Sequence, residues 1–109
     1  MTTYAVAILK DVDINAEIVE YLQRIDATLA PFEGRFVVHG AVPETLEGDW
    51  EGTLIVIAFP DADRAHGWYD SAAYREILPL RTRNSRGTAI LVDGVGPEHL
   101  ATDVLGVPT

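Results

Sequence analysis

His39, Tyr74 and Arg81 are the residues of this chain whose types best suit proton transfer and anion stabilisation. An imidazole that titrates near neutrality is a natural general base, so His39 is a candidate for proton transfer; the competing reading is a strand-end histidine bonded to backbone. Arg81 sits in Leu80-Arg-Thr-Arg-Asn-Ser85. Its rigid fork of donors suits a carboxylate or an enolate. In an acidic chain it is equally suited to pairing with a carboxylate of its own fold or of a partner subunit. Trp68-Tyr-x-Ser-x-x-Tyr74 is the densest motif. Tyr74 and Ser71 could orient a phenolic or carbonyl group above an apolar pocket. Ser71 is also well placed to cap a helix, and Trp68 to fill a core. Trp50, Trp68, Tyr69, Ser71 and Ser85 are carried as ligand-contact candidates around the catalytic candidates His39, Tyr74 and Arg81.

Other chemistries are poorly served. There is no cysteine, which removes disulfides, thiolate metal sites and thiol catalysis. The histidines at 39, 66 and 99 lack paired ligand spacing, so no metal site is expected. No phosphate-binding loop, dinucleotide fingerprint or hydrolase nucleophile elbow occurs, and no cofactor is expected. With 8 Lys and Arg against 17 Asp and Glu, the net charge of −9 disfavours nucleic acid and anionic membrane as partners. The apolar runs 4–9 and 54–59 are too short for a signal sequence or a membrane span. A cytoplasmic protein is expected.

These side chains must be positioned by a small set of elements. In 109 residues there is room for one core. Residues 4–9 read as a strand. Asp13 reads as the cap of a helix in which Ile14, Ile18, Leu22, Ile25 and Leu29 form one stripe, ended by Pro31 and Gly34. A second strand is expected over 35–39, with Phe36 and Val38 on one face and His39 on the other. A polar, acidic connection over 40–52 leads to the strongest strand, 53–59. Asp61 or Asp63 then caps a helix, Ser71 restarts it, and Pro79 should break it. A fourth strand covers 88–92. Strand, Asp-x-Asp and helix occur twice, and the order β-α-β-β-α-β specifies an α+β, ferredoxin-like domain with a four-stranded antiparallel sheet. Residues 1–94 form that single domain and 95–109 a C-terminal tail.

The strand over 53–59 is apolar on both faces, with Leu54, Val56 and Ala58 opposed to Ile55, Ile57 and Phe59. The first strand behaves alike. Helices cover one face; a second copy of the chain is the simplest cover for the other. A homodimer through the sheet faces is therefore expected.

Trp50-Glu-Gly, Leu54-Ile-Val-Ile-Ala-Phe-Pro60, Ala65, Trp68-Tyr-Asp-Ser71, Tyr74, Leu80-Arg81, Ser85 and Leu91-Val-Asp-Gly94 together resemble the family catalogued as domain of unknown function 1330. The resemblance spans roughly residues 3–94. It implies a dimeric α/β barrel, two ferredoxin-like sheets face to face, and aligns Arg81 with the family's arginine after the second helix. The wider barrel superfamily holds cofactor-independent monooxygenases, lactone isomerases, haem enzymes and ligand-sensing domains. The resulting expectation is a homodimer that binds a small organic molecule, aromatic or carboxylate-bearing, with acid–base chemistry of monooxygenase or isomerase type. The alternative is a non-catalytic ligand-binding or stress-related accessory protein.

Overall fold

The first strand, β1 (Thr3–Lys10), lies at the heart of the sheet because it is short, apolar and uncharged until Lys10. The structure, a computed structural model, describes residues 1–106. After β1 come α1 (Ala16–Leu29), a 3₁₀ turn (Ala30–Phe32), β2 (Arg35–Val38) and β3 (Thr53–Phe59). Then follow α2 (Ala62–Asp70), α3 (Ala72–Thr82), β4 (Arg86–Asp93) and a second 3₁₀ turn (Ala101–Leu105). The strands form one antiparallel sheet in the order β2-β3-β1-β4. This is the ferredoxin-like α+β arrangement that the strand and helix order specified. Of the tail expected over 95–109, residues 107–109 lie outside the described residues.

One face of the sheet carries Ala5, Leu9, Ile57 and Phe59 toward the helices, where they meet Ile25, Leu29, Ala65, Trp68, Tyr74 and Ile77. Each large aliphatic side chain buried here contributes about 1.5–3 kcal/mol. The other face bears Tyr4, Val6 and Ile8 paired with Ala58, Val56 and Leu54 on one side and Val92, Ile90 and Thr88 on the other. Ile90 and Val92 are 50% and 46% exposed there. The doubly apolar strands thus leave this second face only partly covered by the described residues.

Three local expectations are corrected. Asn15, not Asp13, caps α1: its carboxamide oxygen accepts from the Glu17 and Ile18 amides, at 3.0 and 3.1 Å. Its amide donates to the Asn84 side chain at 2.6 Å, which ties the helix start to the loop after α3. With that start, Ile14 falls outside the helix and is exposed, while Tyr21 takes a place in the buried stripe. Pro79 does not break α3, which continues to Thr82. Only one amide donor is lost, one turn before the end, and Ile77 and Leu78 remain anchored in or against the core. Finally, β2 is irregular between Phe36 and Val38. The shift places Phe36 opposite Ile57 and Val38 opposite Val56, on different faces, where simple alternation would have kept them together.

Candidate functional site

Between the helix-facing side of the sheet and the helices lies a cavity of about 490 Å³. Its floor is Ala5, Ala7, Ile55, Ile57 and Leu91; α1 contributes Ile18, Tyr21, Leu22 and Ile25. From α2 come His66, Trp68 and Tyr69, and from α3 Tyr74 and Arg81. His39 reaches it from the end of β2. None of the lining residues is an Asp or Glu.

The irregularity in β2 accounts for the position of His39. Its ring stacks on Phe36, centroids 4.3 Å apart and planes inclined by 25°, so it follows Phe36 to the cavity side. The imidazole remains exposed.

Tyr74 and Tyr21 form the buried wall. Ser71 closes α2 and opens α3: its hydroxyl accepts from the Tyr74 amide at 3.2 Å and donates to the Trp68 carbonyl at 2.7 Å. This cap directs the first turn of α3 inward. The Tyr74 hydroxyl lies 2.9 Å from that of Tyr21, with the rings edge-on at 70°. Burial above all, with the neighbouring Tyr74 phenol, pushes the Tyr21 hydroxyl's pKa well above its ordinary range; Arg81 opposes this only in part. Trp68 packs on Tyr74 at 4.1 Å and donates its indole N–H to the Thr28 hydroxyl at 3.0 Å, so its polar edge is satisfied inside the core.

Arg81 stands in the last turn of α3, half-buried, its guanidinium carbon 6.0 Å from the Tyr21 ring centroid. Burial alone would lower its pKa, but the phenol oxygens of Tyr74 and Tyr21 more than offset that and the net direction is upward. Arg24, Arg64, Arg75, Arg83 and Arg86 each pair with a carboxylate. Among the described residues, Arg81 on the cavity wall pairs with none, and neither does Arg35 at the exposed start of β2.

The cavity therefore brings together His39, Tyr74, Arg81, Trp68 and Tyr69. The remaining candidates stand elsewhere. Trp50 lines a shallow depression of the acidic connection and donates its indole N–H to the Gly52 carbonyl at 3.0 Å. Ser71 is occupied as a cap. Ser85 donates to the Arg81 carbonyl at 2.8 Å and finishes α3. Sequence reasoning passed over Tyr21 and His66. Tyr21 was within reach: it follows Ile18 by three residues and precedes Ile25 by four, the spacing of the buried stripe. His66, exposed on α2, gives no comparable signal. Among the described residues, no group of three His, Cys, Asp or Glu is placed to hold a metal, and no helix is long and apolar enough to cross a membrane.

The family model described as "Domain of unknown function (DUF1330)" matches residues 2–95. No curated protein matches the chain significantly by sequence. Among solved structures, the chain is similar to the RPA0582 protein of unknown function from Rhodopseudomonas palustris, at 13% identity and a TM-score of 0.66, with 88% of this chain and 84% of that chain covered. A dimeric ferredoxin-like protein of unknown function from Jannaschia sp. CCS1 matches at 10% identity and a TM-score of 0.65, covering 86% and 100%. SnoaB, a cofactor-independent oxygenase from Streptomyces nogalater, matches at 18% identity and a TM-score of 0.54, covering 89% and 94%. At these identities the likeness concerns the fold.

Proposed function

The chain belongs to the DUF1330 family, and on that premise we propose that it is a cytoplasmic homodimer whose subunits each bind a small organic molecule, aromatic or carboxylate-bearing, between sheet and helices. Residues 1–94 would be the folding unit and 95–109 a tail. The observation that carries the ligand reading is the cavity itself: about 490 Å³, mostly apolar, with a few polar side chains in its lining. Ligand sites have this size and composition. Pairing through the sheets is supported by the apolar outer face around Val6, Val56, Ile90 and Val92, and by the dimeric state of the Jannaschia neighbour. Covering that face with a second copy removes a patch that water disfavours.

Within this reading, acid–base chemistry of the monooxygenase or isomerase type falls to His39 for proton transfer, Arg81 for anion stabilisation and Tyr74 for orientation. All three line the same cavity. The oxygenase activity of SnoaB is a precedent on a related fold, and a fold hosts many activities. A second reading, a non-catalytic ligand-binding or accessory protein, is favoured by one detail. Among the described residues, His39 has a stacking partner but no hydrogen-bonding group that would orient its ring, as general bases commonly have.

Two measurements test the proposal. Sedimentation equilibrium at micromolar protein should return twice the chain mass, and a monomer would reject the pairing; Ile90→Glu should yield the monomer. A thermal-shift screen of small neutral and acidic aromatic compounds should find ligands that raise Tm, and a screen without any would reject the cavity reading. For a compound that binds, turnover by the wild type and its loss in His39→Ala supports the enzyme; binding without turnover supports the accessory protein.

A further inference from the structure

Resting on the reading of the cavity as a ligand site, we propose that its polar corner accepts one carboxylate on an aromatic body, and that Tyr21 is a ligand contact beside Tyr74 and Arg81. A guanidinium offers five N–H donors and no acceptor. Arg81 is half-buried on the cavity wall and, among the described residues, has no carboxylate to receive those donors. The two phenols share one hydrogen bond of 2.9 Å. That bond uses one hydroxyl proton of the pair, and the other has no acceptor among the described residues. A phenol is protonated at neutral pH, and burial moves the Tyr21 hydroxyl further in that direction.

Apart from the two phenol oxygens beside Arg81, the corner is rich in donors and poor in acceptors, and the lining contains no carboxylate to compete for it. A group with acceptors only is its complement. A carboxylate meets the Arg81 fork with two oxygens and leaves a lone pair for the spare phenol proton. An ammonium meets a cation and finds no acid. A neutral amide brings donors of its own and half the acceptor capacity. A phosphate dianion would bring a second charge into apolar surroundings that hold a single guanidinium, at a large desolvation cost. The rest of the ligand meets Ile18, Ile55, Ile57 and Leu91, with the Trp68 and Tyr69 rings beside them. At about 30 Å³ per water-sized group, a cavity of about 490 Å³ holds roughly sixteen non-hydrogen atoms, enough for a one- or two-ring acid.

Isothermal titration of the wild-type protein with 2-naphthoic acid, 2-naphthamide, 2-naphthylmethylamine and 2-naphthyl phosphate tests this without any variant. The acid should bind at least about tenfold more tightly than each of the other three, the scale of a charge-assisted hydrogen bond. Arg81→Met should abolish the preference of acid over amide, and Tyr21→Phe should weaken the acid several-fold while leaving the amide unchanged. Thermal melts of both variants establish that they fold. The proposal is overturned if the amide, amine or phosphate matches the acid in the wild type, if Arg81→Met preserves the preference, or if folded Tyr21→Phe binds the acid as the wild type does. Binding of neutral probes alone would overturn the carboxylate and leave the cavity reading standing. Failure of all four probes would count against the cavity reading itself.

Discussion

Replacing either member of the Tyr21–Tyr74 pair by phenylalanine should cost more stability than replacing both would suggest. The two hydroxyls are 2.9 Å apart, on side chains that are 8% and 2% exposed. Tyr74→Phe leaves the Tyr21 hydroxyl buried without its partner, and Tyr21→Phe does the converse. Such an orphaned polar group costs about 1–3 kcal/mol, whereas removal of both partners of a buried hydrogen bond is close to neutral. The two single variants should therefore lose about 1–3 kcal/mol each, and the double variant about 1 kcal/mol or less. The resulting coupling of at least about 1 kcal/mol exceeds the 0.3–0.5 kcal/mol scatter of independent sites. Urea unfolding of all four proteins, followed by tryptophan fluorescence and far-UV circular dichroism, measures it. Protein concentration must be held equal across the series, because a dimer's apparent stability depends on it. Additive single effects would refute the reasoning: the hydroxyls would then not depend on each other in the folded protein.

Three further outcomes follow from the packing and the charges. A Cβ at Gly34 would sit 2.6 Å from Phe59 Cε1 and 2.9 Å from Leu29 Cδ2, both buried; Gly34→Ala should destabilise by about 1–3 kcal/mol in urea melts. Asn15→Ala removes the α1 cap and the link to Asn84 and should cost about 1–2 kcal/mol, whereas Asp13→Ala should change stability much less. Glu17 accepts from Arg83 and Asn84, which hold its carboxyl below the usual carboxylate range. Because the folded pKa is the lower one, the associated stability is present above the unfolded value near pH 4.3 and is lost as pH falls through the folded value. The Tm difference between wild type and Glu17→Gln should shrink over that acidic window; an unchanged difference down to pH 2 would contradict the assignment.

The elements that were legible in the sequence are those whose apolar pattern has one solution. The run over 53–59 could only be a buried strand, and it appears as β3 without a shift of boundary. Ser71 reads as a helix restart because a hydroxyl before an apolar turn satisfies free amides, and it does so. The errors arise where long-range contacts decide among local options. Asp13 and Asn15 are both competent caps; the Asn84 side chain, 69 residues away, favours Asn15. The position of His39 depended on a bulge, which strand alternation cannot reveal. Tyr21 was visible at helical spacing but hidden by Ile14 and Leu22, which continue the same stripe in sequence while remaining exposed in the chain. Both line the cavity, so apolar residues read as core are in part residues of the candidate site.

The central claim is that the space between sheet and helices is a ligand site with an anion-holding corner. A crystal structure of the protein grown with 2-naphthoic acid tests it most directly. Density for the acid inside the cavity, its carboxylate on Arg81 and within hydrogen-bond distance of a Tyr21 or Tyr74 hydroxyl, is the predicted result. A cavity closed by its own side chains, or an acid bound only elsewhere on the surface, would contradict the account.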